Sequence, residues 1–214
     1  MSLTLHYHPL SSFCHKVLIG LYELGLAFDK QLVDLGNPSE RAAFAALWPM
    51  AKFPVLHDHA AQRVVPESTI ILEYLDQRSS GTPRLIASDP TRALECRLRD
   101  RLYDLHIHLP MQKIVGDIRR PDGQHDPLGV AQARAQIQAA YAIADAQLRD
   151  TTWAAGDAFS MADCAAAPAL FYANKVVPFA AHPHITAYFA RLSARPSYAR
   201  VLEEAQPYMA MFPA

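Results

Sequence analysis

The chain has 214 residues, 51% of them hydrophobic and 19% charged, with a formal net charge of −1 at pH 7. This is the composition of a folded globular protein, and its interspersed, nearly balanced charge argues against nucleic acid or an anionic membrane surface as partner. No apolar run is long enough to span a bilayer, Met1 to His8 carry no signal segment, and Cys14, Cys96 and Cys164 are too scattered for a disulfide framework, so a cytoplasmic location is expected.

Leu3 to Tyr7 alternate with period two and read as a strand. Phe13, Val17, Leu18, Leu21 and Leu24 recur at helical spacing, and Gly25 stands where a C-terminal cap is expected. Residues 27–33 suit a second strand, followed by a short helix with Asn37 or Ser39 as N-cap. Pro54–His57 and Arg63–Val65 read as a hairpin around the turn 58–62, and Glu67–Gln77 as a helix with Ile70, Ile71, Tyr74 and Leu75 on one face. The order βαβαββα over residues 1–78 gives an α/β domain. A turn-rich stretch from Ser79 to Leu85 opens a linker over residues 79–89. Residues 90–214 are then expected to form an all-helical domain, with helices near 90–118, 128–149, 161–175, 184–193 and 197–206. Pro110 predicts a kink in the first of these. Ser160-Met161-Ala162-Asp163 has the form of a capping box, which gives Asp163 a role in folding.

Three stretches carry residue types suited to chemistry. Ser11-Ser12-Phe13-Cys14-His15-Lys16 lies between the first strand and the first helix, where unpaired N–H groups and the positive dipole end favour an anion. A serine there either caps the helix or donates a hydrogen bond that stabilises a bound thiolate. Lys52-Phe53-Pro54 precedes a strand; the proline either leads an ordinary edge strand or, in a cis bond, leaves Phe53 free to pair with an extended peptide-like ligand. In Pro66-Glu67-Ser68 a helix opens straight out of a strand. Ser68 suits a carboxylate and Glu67 an ammonium group, with capping as the other reading.

Taken in order, these motifs and the Ser160–Asp163 box resemble the glutathione transferase family, with a serine-type active site and a thioredoxin-like first domain. The resemblance implies that Ser11 is the catalytic residue, hydrogen-bonding the glutathione sulfur, and that Ser12, Phe13, Lys52, Phe53, Pro54, Glu67 and Ser68 bind glutathione as co-substrate. Phe53 would pair with its backbone, Lys52 would lie near its glycine end, and Glu67 with Ser68 would grip the γ-glutamyl end. A small hydrophobic electrophile would bind between the domains, with Tyr103, His106, Ile107 and Met111 as pocket candidates. The resemblance also implies a homodimer.

Cys14 stands third after Ser11, so a Cys-x-x-Cys redox cycle is excluded, and Cys14 is expected to be a small buried hydrophobe. His106 and His108 do not share a helix face, and His57-Asp58-His59 lacks further ligands, so no metal is expected. The paired serines also resemble the zeta-type, glutathione-dependent isomerases. Phe13 stands where those have cysteine, and the arginine and tryptophan that follow it there are missing. A non-catalytic binding or regulatory protein on the same fold is the third reading.

Overall fold

Leu3 and Leu5 of β1 (Leu3–Tyr7) point to one side of the strand and are fully buried. The computed structural model, which describes residues 2–79, 81 and 83–212, extends this alternation into a sheet of order β2-β1-β3-β4. β2 (Asp29–Leu32) runs parallel to β1 as an exposed edge, while β3 (Val55–Asp58) and β4 (Arg63–Pro66) run antiparallel. Leu5 faces Leu56 and Leu56 faces Val65, so one apolar row crosses the sheet. That row meets α1 (Ser12–Glu23) and α3 (Ser68–Arg78) through Val17, Leu18, Leu21, Ile71, Leu72 and Leu75. The opposite face packs Val33 and Val55 on Phe44 of α2 (Pro38–Leu47), whose N-cap is Asn37. β3 reaches Asp58, which lies in the strand rather than in the turn expected for it.

The end of α1 follows from Gly25, which takes φ +62°, a conformation costly for any residue with a Cβ. Gly25 donates to the Tyr22 carbonyl and Leu26 to that of Leu21, the paired bonds of a Schellman cap. Gly20 sits where a Cβ would overlap Leu72, which lets α1 and α3 approach closely.

Ser80 and Thr82 of the expected linker lie outside the described residues. Leu85 in it is tied down: its N–H donates to Asp76 at 2.6 Å, and its carbonyl accepts from Met161 at 2.9 Å. Helices α4 (Pro90–Arg101), α5 (Leu109–Ile118), α6 (Pro127–Gln147), α7 (Met161–Val176), α8 (Pro183–Ala194) and α9 (Pro196–Ala205) follow. The long helix expected over 90–118 is interrupted by a wide π-helical turn, Leu102–His108, just ahead of Pro110. Proline has no N–H to return to the preceding turn, and the helix widens there. The alanine-rich α7 is buried around most of its circumference and packs on α1, α4 and the π turn. At its start, buried Asp163 accepts from the Ser160 N–H and hydroxyl, the Ala154 N–H and the Tyr188 hydroxyl, at 2.6–2.8 Å. The predicted cap therefore also anchors a loop and α8. No described helix is long and apolar enough to cross a membrane.

Candidate active site

A cleft of about 750 Å³ opens where the starts of α1, β3 and α3 meet the helices from α4 to α5. At the α1 edge Ser11 is the N-cap, and its Oγ accepts from the Cys14 N–H at 3.3 Å. Phe13, half-buried, lines the cleft beside it. Cys14 is fully buried, and burial pushes its thiol up to about 12, so it is inert at neutral pH.

Lys52, Phe53 and Pro54 form the next wall, and the Phe53–Pro54 bond is cis. Phe53 lies outside the strand ladder that begins at Val55. At the third edge Glu67 joins β4 to α3 with φ +69° and ψ 117° and makes no side-chain capping bond. A glutamate in this region is strained by about 1–3 kcal/mol, and the Pro66 pairing on one side and the Ile71 N–H on its carbonyl on the other hold it there. Ser68 opens the helix, so its N–H and its neighbours' lie outside the helical ladder and face an anion favourably.

The floor carries a buried charge cluster. Lys16 Nζ reaches Asp100 at 2.6 Å, Asp104 at 2.7 Å and the Thr69 hydroxyl at 2.8 Å. Arg101 joins the same two carboxylates from the cleft side, at 2.5 and 2.7 Å, and also donates to Thr69. Two cations against two anions leave the cluster neutral, the condition under which charges tolerate burial. Burial and the neighbouring Asp100 nonetheless raise the Asp104 carboxyl, against the pull of Lys16 and Arg101. Beside this cluster, buried His108 shares a 2.8 Å hydrogen bond with Ser12 and packs edge-on to Phe13, ring centres 4.4 Å apart. Burial, with Lys16 and His15 adding repulsion, holds its imidazole down at about 3.

Family models for the glutathione S-transferase N-terminal and C-terminal domains match residues 5–83 and 103–196. Glutathione S-transferase 3 of Zea mays is 30% identical over 210 residues, covering 94% of this chain and 93% of the relative. The chain belongs to the glutathione S-transferase family. FtsZ-localized protein A of Caulobacter vibrioides is also similar, 28% identical over 97% of this chain and 93% of its own. Among solved structures, a glutathione S-transferase from Methylobacillus flagellatus with glutathione bound superposes with a TM-score of 0.86, at 25% identity, over 93% of this chain and 98% of that one. The fold is the thioredoxin-like domain and helical domain of this transferase family.

Within that frame, Ser11, Phe13, Lys52, Phe53, Pro54, Glu67 and Ser68 all line the cleft. Ser12 does not; it turns inward to His108. The four residues expected in the electrophile pocket are corrected. Tyr103, Ile107 and Met111 face the transferase core, and His106 is exposed on the far side against Gln136. The cleft receives Leu105, Leu109 and Gln112 instead. Both rows are largely apolar and helically spaced, so the pattern marks two faces without saying which is inward. Thr69, Asp100, Arg101 and Asp104 were not anticipated, and Lys16 was placed in the first stretch without its ion-pair role. The signal available was a lysine one turn into an otherwise apolar helix, which requires buried carboxylates.

Proposed function

We propose that this chain is a glutathione transferase in which Ser11 donates a hydrogen bond to the glutathione sulfur and favours its thiolate. The single observation that carries this reading is the position of Ser11: it caps α1 and lines the cleft at once. A hydroxyl has two lone pairs and one proton. Accepting from Cys14 uses a lone pair and leaves the proton free to donate, so capping and activation are compatible. The positive end of α1 adds to the stabilisation of the anion. Phe53, ahead of the β3 ladder, would pair with the tripeptide backbone, with Lys52 near its glycine carboxylate. Glu67 and the start of α3 would take the γ-glutamyl ammonium and carboxylate.

The thiolate would then attack a small hydrophobic electrophile held against Phe13, Leu105 and Leu109. No covalent bond to the protein is needed. The exposed Leu94 and Leu98, one turn apart on α4, and Ile143 beside Leu98 give a second copy an apolar surface to cover, which supports a homodimer. The inward turn of Ser12 removes the second serine from the cleft, weakening the isomerase reading. A binding role without catalysis is the second reading, favoured by the likeness to FtsZ-localized protein A, a relative named for its localisation and not for an activity.

Calorimetry with glutathione tests the reading. Binding by the parent, lost or greatly weakened on Glu67→Ala, is the expected result. A parent that binds no glutathione would refute the transferase and leave the fold serving as a binding module.

A further inference from the structure

We infer that His108 is a positioning residue for the thiol site, acting through Ser12 and Phe13. The inference rests on the glutathione reading above and assigns to that site a support that comes from the helical domain. Ser12 is the first helical residue of α1, directly after Ser11, and both Ser12 and His108 are buried. Their 2.8 Å hydrogen bond fixes the rotation of Ser12, and the edge contact of the same ring fixes Phe13. One turn further along α1, Lys16 is held by Asp104, which lies four residues before His108 on the same π turn. The π turn thus grips the start of α1 at two points, while its other side presents Leu105 to the cleft, followed by Leu109 at the start of α5. Wide turns of this kind recur at functional sites.

An apolar residue at 108 would fill the space equally well without fixing the serine. What the hydrogen bond adds is orientation, and a misplacement of about 1 Å in a catalytic donor costs up to about 100-fold in rate. His108 is buried and does not line the cleft, so its effect has to pass through the turn that bears Ser11.

The test compares His108→Leu, His108→Gln and Ser12→Ala with the parent. Glutamine restores a polar group near the Nε2 position; leucine does not. Four readouts are taken: the thiolate of bound glutathione by ultraviolet absorbance across pH, the glutathione Kd by calorimetry, kcat with chlorodinitrobenzene, and thermal unfolding. The expected result is that His108→Leu and Ser12→Ala raise the apparent thiol pKa by about one unit and lower kcat about tenfold. Below the bound thiol's pKa, where every variant holds glutathione as the thiol, the glutathione Kd should stay within about twofold of the parent, since the residues that grip the tripeptide's two ends are untouched. His108→Gln should recover most of the loss. The inference is overturned if the thiolate titration and kcat match the parent in His108→Leu and Ser12→Ala. It is equally overturned if losses track thermal stability and His108→Gln does no better than His108→Leu. Should His108→Leu not fold, Ser12→Ala, which removes a single oxygen, carries the comparison. A parent that binds no glutathione overturns the site reading and this inference together, an outcome distinct from a parent that binds and variants that do not differ.

Discussion

Acidification from about pH 7 to about pH 5 strains two buried histidines in α1 and the π turn. His15, its Nε2 2.5 Å from the Pro9 carbonyl, is held by burial at about 4, and His108 at about 3, both from an ordinary value of 6.5. In the unfolded chain each imidazole protonates as the pH falls through 6.5; in the fold it stays neutral. The unfolded state therefore binds more protons, and stability present above pH 6.5 is lost as the pH drops toward the folded values. By about pH 5 the loss is about 2 kcal/mol for each histidine, at about 1.36 kcal/mol per unit. The figure changes little so long as the folded values lie below that pH. Asp104 and Asp163, whose carboxyls burial raises, act in the opposite direction, so the contribution of one histidine is best isolated by difference. Urea unfolding of the parent and His108→Gln across this pH range is the assay. The parent should lose about 2 kcal/mol more than the variant between the two ends. Parallel curves would refute the claim that His108 is buried neutral.

Four further variants test the packing and the cleft. Lys16→Met leaves Asp100 and Asp104 without their buried cation, and thermal or urea unfolding should show a loss of about 3–5 kcal/mol. Ile107→Ala, in the core, should cost about 2–5 kcal/mol, whereas Leu109→Ala, 44% exposed at the cleft, should cost under about 1 kcal/mol. Leu109→Ala should change KM for hydrophobic electrophiles, and a variant indistinguishable from the parent across several of them would count against the cleft as their site. Asp163→Ala removes the acceptor of four hydrogen bonds and should destabilise by about 3 kcal/mol or more, read as the urea midpoint.

Local signals were legible wherever one residue does one job. Asn37, one of the two caps the sequence offers, caps α2, while Gly25 closes α1 and Ser160 with Asp163 opens α7 where their chemistry predicts. The three stretches at the cleft were legible for the same reason: each stands where an element begins, and sequence marks beginnings well. What sequence left open is phase. An extra residue in the π turn rotates everything after it by about 100° relative to a regular helix, and Tyr103, Ile107 and Met111 keep a four-residue spacing that suits core or cleft equally. Long-range pairings were equally hidden. Nothing local joins Ser12 to His108 across 96 positions, or Lys16 to Asp104 across 88. Such partners are legible only as a debt: a buried lysine must find carboxylates, but its sequence neighbourhood does not say which.

The most direct measurement is the ultraviolet titration of glutathione bound to the parent and to Ser11→Ala. If Ser11 donates to the sulfur, the parent will hold thiolate near neutral pH, and the variant will bind glutathione but hold it as thiol, with kcat lower by about 10²–10³. A Ser11→Ala variant with the parent's thiolate titration and rate would contradict the assignment, leaving Ser11 as a helix cap and nothing more.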